Sequence, residues 1–272
     1  MQKNHFQKEL TIAATQKRNG ANNTKKDVQK VQSWLTLFEL TKPGSGTLTG
    51  IDGDFGSATE KAVMNFQKAK GINQNGIADA NTFSLLCSPL QNAFETTPTG
   101  NGLRQRILSA AKTHVENFPH ELTINNQSNS GPWVRSYMNG MEGKELLWCM
   151  GFVQTIIDQA ASSLNKNFKD LMPLTFSCDV VGQTGLAKGL LTRFTKVRQD
   201  PSIVKPGDIF LIQKTPMDWI HTGIVISVSG DVFETIEGNT NNDGSHNGNR
   251  ACKRVRNFKT SKLDVFSIEP LV

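Results

Sequence analysis

In the first third of the chain, apolar residues recur every three or four positions, which is the spacing of amphipathic helices. A first helix is predicted from Asp27 to the Pro-Gly-Ser-Gly break at 43–46. A second starts at Ser57, where Ser57 and Glu60 are expected to form a capping box, and a third follows Asp79. These helices predict a compact three-helix bundle over residues 26–88. Its inward positions are Val28, Val31, Leu35, Phe38, Ala62, Val63, Phe66, Ala69, Phe83 and Leu86.

The segments on either side of this bundle are polar and rich in turn-forming residues. Residues 1–25 are rich in Asn, Lys and Gln, which predicts a flexible basic leader. Residues 89–102 contain proline, threonine and glycine and are predicted to form a linker to a second domain at 103–272. That domain opens with an amphipathic helix from Leu103 to Val115.

Another helical stripe begins in the sequence Trp-Cys-Met-Gly-Phe-Val-Gln at 148–154. Cys149 lies at its N-terminal end, where unpaired backbone N–H groups and the helix dipole favour the reactive thiolate. A buried, inert cysteine packed against Phe152 is the more common state of such a residue. The helix position alone therefore does not make Cys149 a nucleophile.

After the sequence Lys-Pro-Gly-Asp at 205–208, the apolar period changes from helical to alternating or continuous short runs. Short strands joined by Gly and Asn turns predict an antiparallel sheet. Because helices come first and strands later, the second domain is predicted to be of the α+β class. The predicted strands are 209–212, 221–228, 232–237, 253–258 and 264–268.

The composition describes a globular protein without a membrane span. Hydrophobic residues make up 37% and charged residues 20% of 272 residues, and no apolar run has the length of a transmembrane helix. The first ten residues contain no apolar core of a Sec signal peptide, so synthesis in a reducing cytoplasm is expected. Four cysteines without motif spacing predict neither a zinc ribbon nor a disulfide framework: Cys87, Cys149, Cys178 and Cys252.

Much of the net charge of +6 lies near the start of the chain. Residues 1–30 hold seven Lys or Arg and two acidic residues, which gives 7 − 2 = +5. Such an arm binds polyanions, including a bacterial envelope, although a solvated tail is more common. No RNP, zinc-finger or helix-turn-helix motif accompanies it, so nucleic acid is not an expected partner.

A cysteine nucleophile needs a base and a group that orients the base. Of the five histidines, His221 opens a predicted strand, His5 lies in the leader, and His114 and His120 are expected at the surface near a helix end. The fifth is His246. His221 is therefore the candidate base.

Glu237 and Asn239 lie on the strand that follows His221, and their faces depend on the turn. If residues 229–231 form a three-residue loop, His221 pairs with Asn239, and Glu237 lies diagonally from His221 on the same face. A two-residue loop would turn Glu237 to the opposite face. The sequence leaves the loop length open, and each residue alone is more often structural than catalytic.

Two loops resemble fragments of calcium sites. Asp52-Gly53-Asp54 lacks the later acceptors of such a site and is interpreted as a turn. In the loop that begins at Asn239, Arg250 stands where an EF-hand has its bidentate glutamate. The chain also lacks the His-Glu-x-x-His zinc motif, so neither a metal nor a cofactor is expected.

Residues 26–88 resemble the peptidoglycan-binding domain type 1 family. The resemblance implies a small three-helix domain that binds peptidoglycan. It rests on Asp52-Gly53-Asp54-Phe55-Gly56, Thr59, Ala62-Val63, Phe66-Gln67, Gly71-Ile72, Gly76 and Thr82.

Residues 103–272 resemble the CHAP family of cysteine amidases and peptidases, which have a papain-like (NlpC/P60-like) core with an antiparallel sheet. The resemblance rests on Trp148-Cys149, Phe152-Val153, Lys205-Pro206-Gly207-Asp208-Ile209, His221-Thr222-Gly223-Ile224-Val225 and Glu237-Gly238-Asn239-Thr240. It implies that Cys149 is the nucleophile, His221 the base, Glu237 its orienting group and Asn239 an assisting polar residue. Many members carry glutamine where this chain has Trp148.

Together the two resemblances imply a peptidoglycan hydrolase that cleaves an amide bond. The bond could join muramic acid to L-alanine or lie within the stem peptide or cross-bridge. A non-catalytic wall-binding or phage-tail protein with a vestigial CHAP domain is the alternative. We expect a monomer that acts on the wall after release through a holin, as an endolysin, or after injection as a type VI-like effector with a cognate immunity protein.

Overall fold

The computed structural model describes residues 1–243 and 247–272. Its α-helices are α1 (Phe6–Glu9), α2 (Lys25–Thr41), α3 (Ser57–Ala69), α4 (Ala80–Glu95), α5 (Leu103–Glu116), α6 (Pro132–Tyr137), α7 (Cys149–Ser162), α8 (Cys178–Ala187) and α9 (Phe194–Gln199). Its strands are β1 (Leu122–Ile124), β2 (Gln127–Ser130), β3 (Leu191–Thr192), β4 (Ile209–Thr215), β5 (Asp218–Ser229), β6 (Val232–Thr240), β7 (Arg250–Asn257) and β8 (Leu263–Phe266). None of the described helices has both the length and the apolar character needed to cross a membrane.

The chain forms two compact units. The helical unit comprises Asn4–Asn92 and His120–Glu145, and the sheet unit comprises Met1–Lys3, Ala93–Pro119 and Leu146–Val272. The predicted combination of an N-terminal helical domain with a mixed helix-and-sheet fold is confirmed.

The two units divide the chain differently from the predicted boundaries. No linker begins at residue 89, because α4 continues through Pro89 to Glu95. Leu90, Ala93 and Phe94 are buried and prolong the apolar helical spacing past the proline. This burial compensates for the backbone hydrogen bond that a proline inside a helix removes.

In the helical unit, two buried glutamines each hold one loop. The Gln32 amide donates to Asp52 Oδ1 (2.8 Å) and to the Asp54 carbonyl (3.0 Å), and its oxygen accepts from the Gly53 N–H (2.8 Å). Gln67 binds the 75–77 loop in the same way, accepting from the Gly76 N–H at 3.0 Å. The interpretation of residues 52–54 as a turn agrees with this geometry, since Asp52 Oδ1 also accepts from the Asp54 N–H.

The start of α3 differs in one detail from the prediction. The helix begins at Ser57, but its N-cap is Gly56 and no side chain caps it, so the predicted Ser57–Glu60 capping box is wrong. Ser57 already occupies the first helical position, and the capping geometry requires the residue before it.

Residues 1–25, which we expected to form a flexible leader, contribute several buried side chains in the structure. Within the helical unit, Glu9 is buried and forms a bidentate ion pair with Arg135 at 2.7 and 2.9 Å. Lys30 Nζ donates to the carbonyls of Lys8 (2.7 Å) and Thr11 (2.8 Å). Within the sheet unit, Lys3 Nζ donates to the Gly151 carbonyl at 2.9 Å. Lys3 of this segment therefore serves local structure.

The sheet unit is built on one antiparallel sheet with the strand order β3-β8-β4-β5-β6-β7. All five predicted strands are present as β4 to β8, whereas the two-residue strand β3 was not predicted. Helix α7 packs against β5 and β6, and α8 packs against β5. The start of α7 and the facing ends of β5 and β6 therefore meet, and this is where the candidate site lies.

Candidate active site

Cys149 is the first residue of α7 and is almost fully buried, with 2% of its surface exposed. Trp148 is the N-cap, and its carbonyl accepts the Phe152 N–H at 2.9 Å. Gly238 allows the start of α7 to approach β6 closely, because a Cβ at this position would lie 3.0 Å from the Trp148 ring and 2.6 Å from Phe152. The absence of a side chain at Gly238 thus lets the helix start sit closely against β6.

His221 and Glu237 are brought together by the β5–β6 hairpin. His221 Nε2 lies 2.8 Å from Glu237 Oε2, and both side chains are fully buried. The turn has only two residues, Gly230 and Asp231, because Ser229 pairs with Val232. Of the two loop lengths that the sequence left open, the two-residue turn is the one present, yet the two residues share a face.

An irregularity in β5 resolves this difference. Val228 pairs with Phe233 next to the turn, but Val225 pairs with Thr235, so one strand residue is left over between Val225 and Ser227. Such a β-bulge adds one residue to a strand and reverses the parity of everything beyond it. The two-residue turn and the bulge together give the register that a three-residue loop would have given.

Glu237 is held by two further groups that sequence reasoning did not identify. Arg256 in β7 donates from Nε to Oε1 at 2.6 Å and from Nη2 to Oε2 at 2.5 Å, and Thr235 Oγ1 donates to Oε1 at 2.5 Å. Burial would raise the pKa of Glu237, but the hydrogen bonds from Arg256 and His221 outweigh it and lower the pKa to about 2. These bonds hold the Glu237 carboxylate beside the imidazole.

The thiol and the imidazole perturb each other. The hydrogen bond between Cys149 and Cys178, whose Sγ atoms are 3.9 Å apart, and the interaction with His221 lower the pKa of Cys149 well below its usual value, against the effect of burial. Burial would lower the pKa of His221, but its hydrogen bonds to Cys149 and Glu237 raise it. These opposite shifts favour a thiolate–imidazolium pair. His221 Nε2 faces Glu237.

Asn239, predicted as an assisting polar residue, is buried at the end of β6 in the left-handed region, with φ of 53°. Its Nδ2 donates to the Gly248 carbonyl at 3.1 Å, and its own carbonyl accepts the Gly248 N–H at 3.0 Å. These bonds fix the path of the chain after β6.

His114 lies in surroundings different from those of His221. The expectation that His114 lies at the surface is wrong: it is fully buried in the sheet unit, its Nε2 is 3.1 Å from Gln159 Oε1, and its ring packs edge-on to Phe94 and Phe152. Burial lowers the pKa of His114 to about 4. His246 lies outside the described residues.

Among residues 1–243 and 247–272, no group of three or more His, Cys, Asp or Glu side chains is arranged to hold a metal ion. In the loop after β6, Asn241 Oδ1 accepts the Asp243 N–H at 3.0 Å. The sixth residue of that EF-hand-like sequence, Gly244, lies outside the described residues.

Comparison with known proteins bears on part of the chain. Residues 24–86 match the family described as "Putative peptidoglycan binding domain". A 59-residue stretch is 50% identical to a protein named zinc D-Ala-D-Ala carboxypeptidase from Streptomyces albus G, covering 19% of this chain and only 23% of that protein. No solved structure matches the chain. The predicted N-terminal peptidoglycan-binding domain is thus confirmed.

Proposed function

We propose that this protein is a peptidoglycan hydrolase in which a CHAP-type cysteine centre, formed by Cys149, His221 and Glu237, cleaves an amide bond. The observation that carries the proposal is the arrangement of Cys149, His221 and Glu237, which we call the relay. A thiol at a helix start and an imidazole shift each other's pKa in opposite directions, and the imidazole is 2.8 Å from a buried carboxylate. The peptidoglycan-binding match at residues 24–86 supports the substrate class.

The geometry supports a two-stage reaction. The Cys149 thiolate attacks the carbonyl carbon of the amide, and the proton on His221 passes to the departing amine. The same imidazole then takes a proton from water, which hydrolyses the thioester and frees the thiol. Glu237 keeps the imidazole oriented and stabilises its positive charge, as expected of the third member of such a relay.

The oxyanion is proposed to be stabilised mainly by backbone. Trp148 offers no amide side chain like the glutamine found in many CHAP members. Cys149 is the first residue of α7, so its N–H belongs to the group of helix-start donors without an intrahelical partner. Loss of one oxyanion donor typically costs about 2.7–4 kcal/mol, so this N–H carries a large share of transition-state stabilisation.

The substrate bond is proposed to be the muramoyl–L-alanine amide or an amide of the stem peptide or cross-bridge. The named activity of the carboxypeptidase relative concerns D-Ala-D-Ala, which also belongs to the chemistry of peptide stems. Delivery to the wall would follow release through a phage holin or injection by a secretion apparatus, in which case an immunity protein would protect the producer.

One observation favours the alternative of a non-catalytic wall-binding protein. Cys149 is 2% exposed and His221 is fully buried, so the relay has almost no open surface for a polymeric substrate. If the relay were vestigial, the chain would bind the wall without cutting it.

Digestion of purified peptidoglycan by the full chain separates these functions. We expect the wild type to release fragments whose masses reveal the cut bond, while Cys149→Ala releases none, keeps its circular dichroism spectrum and still sediments with the insoluble wall. Cys252→Ala, at a half-buried thiol on β7, is the matched control and should cut like wild type. Wall binding without fragments from the wild type would establish the non-catalytic alternative, and digestion by folded Cys149→Ala would overturn the assignment of the nucleophile.

A further inference from the structure

Two helix starts bring two thiols together in the sheet unit. Cys149 opens α7 and Cys178 opens α8, and their sulfur atoms are 3.9 Å apart. Both are buried, with 2% and 8% of their surfaces exposed, and neither is part of a disulfide. The hydrolytic mechanism uses Cys149 and gives no role to Cys178.

The position of Cys178 is fixed by the framework around α8. Ser177 caps the helix by accepting the Val180 N–H at 3.3 Å. Asp179 Oδ1 accepts a hydrogen bond from the backbone N–H of Trp219 at 2.6 Å. This bond joins α8 to β5, the strand that carries His221. Gly182 lets the Trp219 ring approach α8, since a Cβ at Gly182 would lie 2.5 Å from it. The second thiol is therefore held beside the first by packing.

We propose that Cys149 and Cys178 form a reversible disulfide when the protein meets hydrogen peroxide, so that Cys178 acts as a resolving cysteine. That this modification also switches off hydrolysis rests on the proposed function. The sulfur atoms need to approach by about 1.9 Å to reach a disulfide bond length of about 2.05 Å. Rotation about the Cα–Cβ bonds of the two cysteines is the motion that would bring the sulfur atoms together.

The chemistry balances with peroxide as the two-electron oxidant. The Cys149 thiolate attacks one peroxide oxygen, an S–O bond forms, the O–O bond breaks, and the departing hydroxide takes up a proton to become water. The sulfur of Cys178 then attacks the sulfenic sulfur of Cys149. An S–S bond forms, the S–O bond breaks, and the hydroxide leaves with the Cys178 proton as a second water. Two thiols have together lost two electrons.

The electronic state of the pair suits this order of events. Interaction with Cys178 and His221 lowers the pKa of Cys149 well below its usual value, whereas the hydrogen bond to Cys149 and burial raise the pKa of Cys178 well above its usual value. Peroxide reacts with the thiolate, so Cys149 is oxidised first. Closure to a disulfide protects that sulfur from the sulfinic and sulfonic states, which thiols do not reverse.

The test is peroxide treatment of the full chain, followed by alkylation in denaturant, intact mass and peptide mapping. We expect wild type to lose two of its four thiols, to lose the mass of two hydrogen atoms, and to yield one linked peptide pair containing Cys149 and Cys178. Dithiothreitol should restore all four thiols. Cys252→Ser, which leaves the pair intact, should behave in the same way.

Cys178→Ser distinguishes a resolving cysteine from a passive neighbour. Without the second thiol, peroxide should add one and then two oxygen atoms to Cys149, and dithiothreitol should fail to reverse the two-oxygen product. Wild type that gains oxygen at Cys149 while Cys178 stays reduced would overturn the proposal, as would a linkage to Cys87 or Cys252 instead. Because mass and thiol counts need no substrate, a linked pair in a protein that cuts no peptidoglycan would leave the disulfide standing and remove only the proposed function.

Discussion

His221 Nε2 and Glu237 Oε2 are 2.8 Å apart although a turn of only two residues connects their strands. The contact exists because a bulge in β5 offsets the even turn, and because Arg256 and Thr235 hold the carboxylate in place. The orientation of the proposed base thus depends on three strands, β5, β6 and β7.

Arg256 is predicted to position Glu237 rather than to touch substrate. Arg256→Gln removes both charge-assisted bonds and leaves a buried carboxylate partly unpaired, which typically costs about 3–5 kcal/mol of stability. If the imidazole shifts as a result, kcat/KM should fall by about a hundredfold. The pKa of Glu237 should rise, because the largest of the interactions that outweigh burial is then lost, and the acid limb of the pH–activity profile should move to higher pH.

The pH profile distinguishes positioning from a general loss of stability. Arg256→Lys keeps the positive charge but loses the bidentate geometry. Compared with Arg256→Gln, it should bring the acid limb back close to its wild-type pH but recover kcat/KM less completely. Lys253→Gln, at an exposed position of the same strand, should change neither. An Arg256→Gln protein with lower stability but an unmoved acid limb would show that Arg256 serves the fold alone.

Gly223 is predicted to be required for the space that Glu237 occupies. A Cβ at Gly223 would lie 2.6 Å from Glu237 Cγ, 2.7 Å from the Phe210 ring and 2.9 Å from the Ile236 carbonyl oxygen. Gly223→Ala should therefore cost about 1–3 kcal/mol in denaturant unfolding and disturb the His221 contact. Gly50→Ala, where the nearest atom would be 3.9 Å away, is the control. Unchanged stability and digestion in Gly223→Ala would mean that the hairpin adjusts without cost.

The sequence predicts the helix and strands that carry the site, but it does not predict the register in which the strands pair. The helical stripe from Cys149 and the alternating runs around His221 and Glu237 predict α7, β5 and β6. The bulge between Val225 and Ser227 lies in a continuous run of strand-forming residues, so no local residue marks it. Only burial of one face across the whole sheet selects that register.

Residues supplied by distant elements were missed for a related reason. Arg256 reaches Glu237 only through the pairing of β6 with β7, and Cys178 meets Cys149 only through the packing of α8. His114 was predictable, in contrast, because it continues the buried stripe of α5 through Leu103, Ile107 and Ala111. The apolar spacing of α5 predicts burial at position 114 even though the histidine side chain is polar.

Cys149 is predicted to react as a thiolate at a pH where ordinary cysteines are protonated. The lowered pKa of Cys149 and the raised pKa of His221 define a pH range in which the ion pair is present, bounded below by protonation of the thiolate and above by loss of the imidazolium proton. Iodoacetamide labelling followed by peptide mapping should therefore show Cys149 modified below pH 7. Cys252 is an internal control, because burial raises its pKa. Labelling of both thiols only as pH approaches about 8.5 would contradict the ion pair.

His114 is predicted to make stability depend on pH in the mildly acidic range. Its pKa falls from 6.5 to about 4 on folding, so between these values the unfolded chain binds a proton that the folded protein excludes. Stability should therefore decrease as pH falls from 6.5 towards 4, by up to about 1.4 kcal/mol per pH unit. Among the other shifted groups, the stabilisation from His221, with its raised pKa, is lost above pH 6.5, and that from Glu9 and Glu237 is lost below pH 4.5. Cys149, with its lowered pKa, also contributes to the pH dependence, but equally in wild type and in a His114 variant.

Urea unfolding at several pH values between 6.5 and 4.5 isolates this effect. His114→Gln cannot be protonated in this range, so its free energy of unfolding should change less with pH than that of wild type, whatever its absolute value. His120→Gln, at a partly buried histidine in the helical unit, should keep the wild-type slope. Equal slopes in wild type and His114→Gln would mean that the buried imidazole is protonated in the folded protein, and the account of its packing between Phe94 and Phe152 would have to be abandoned.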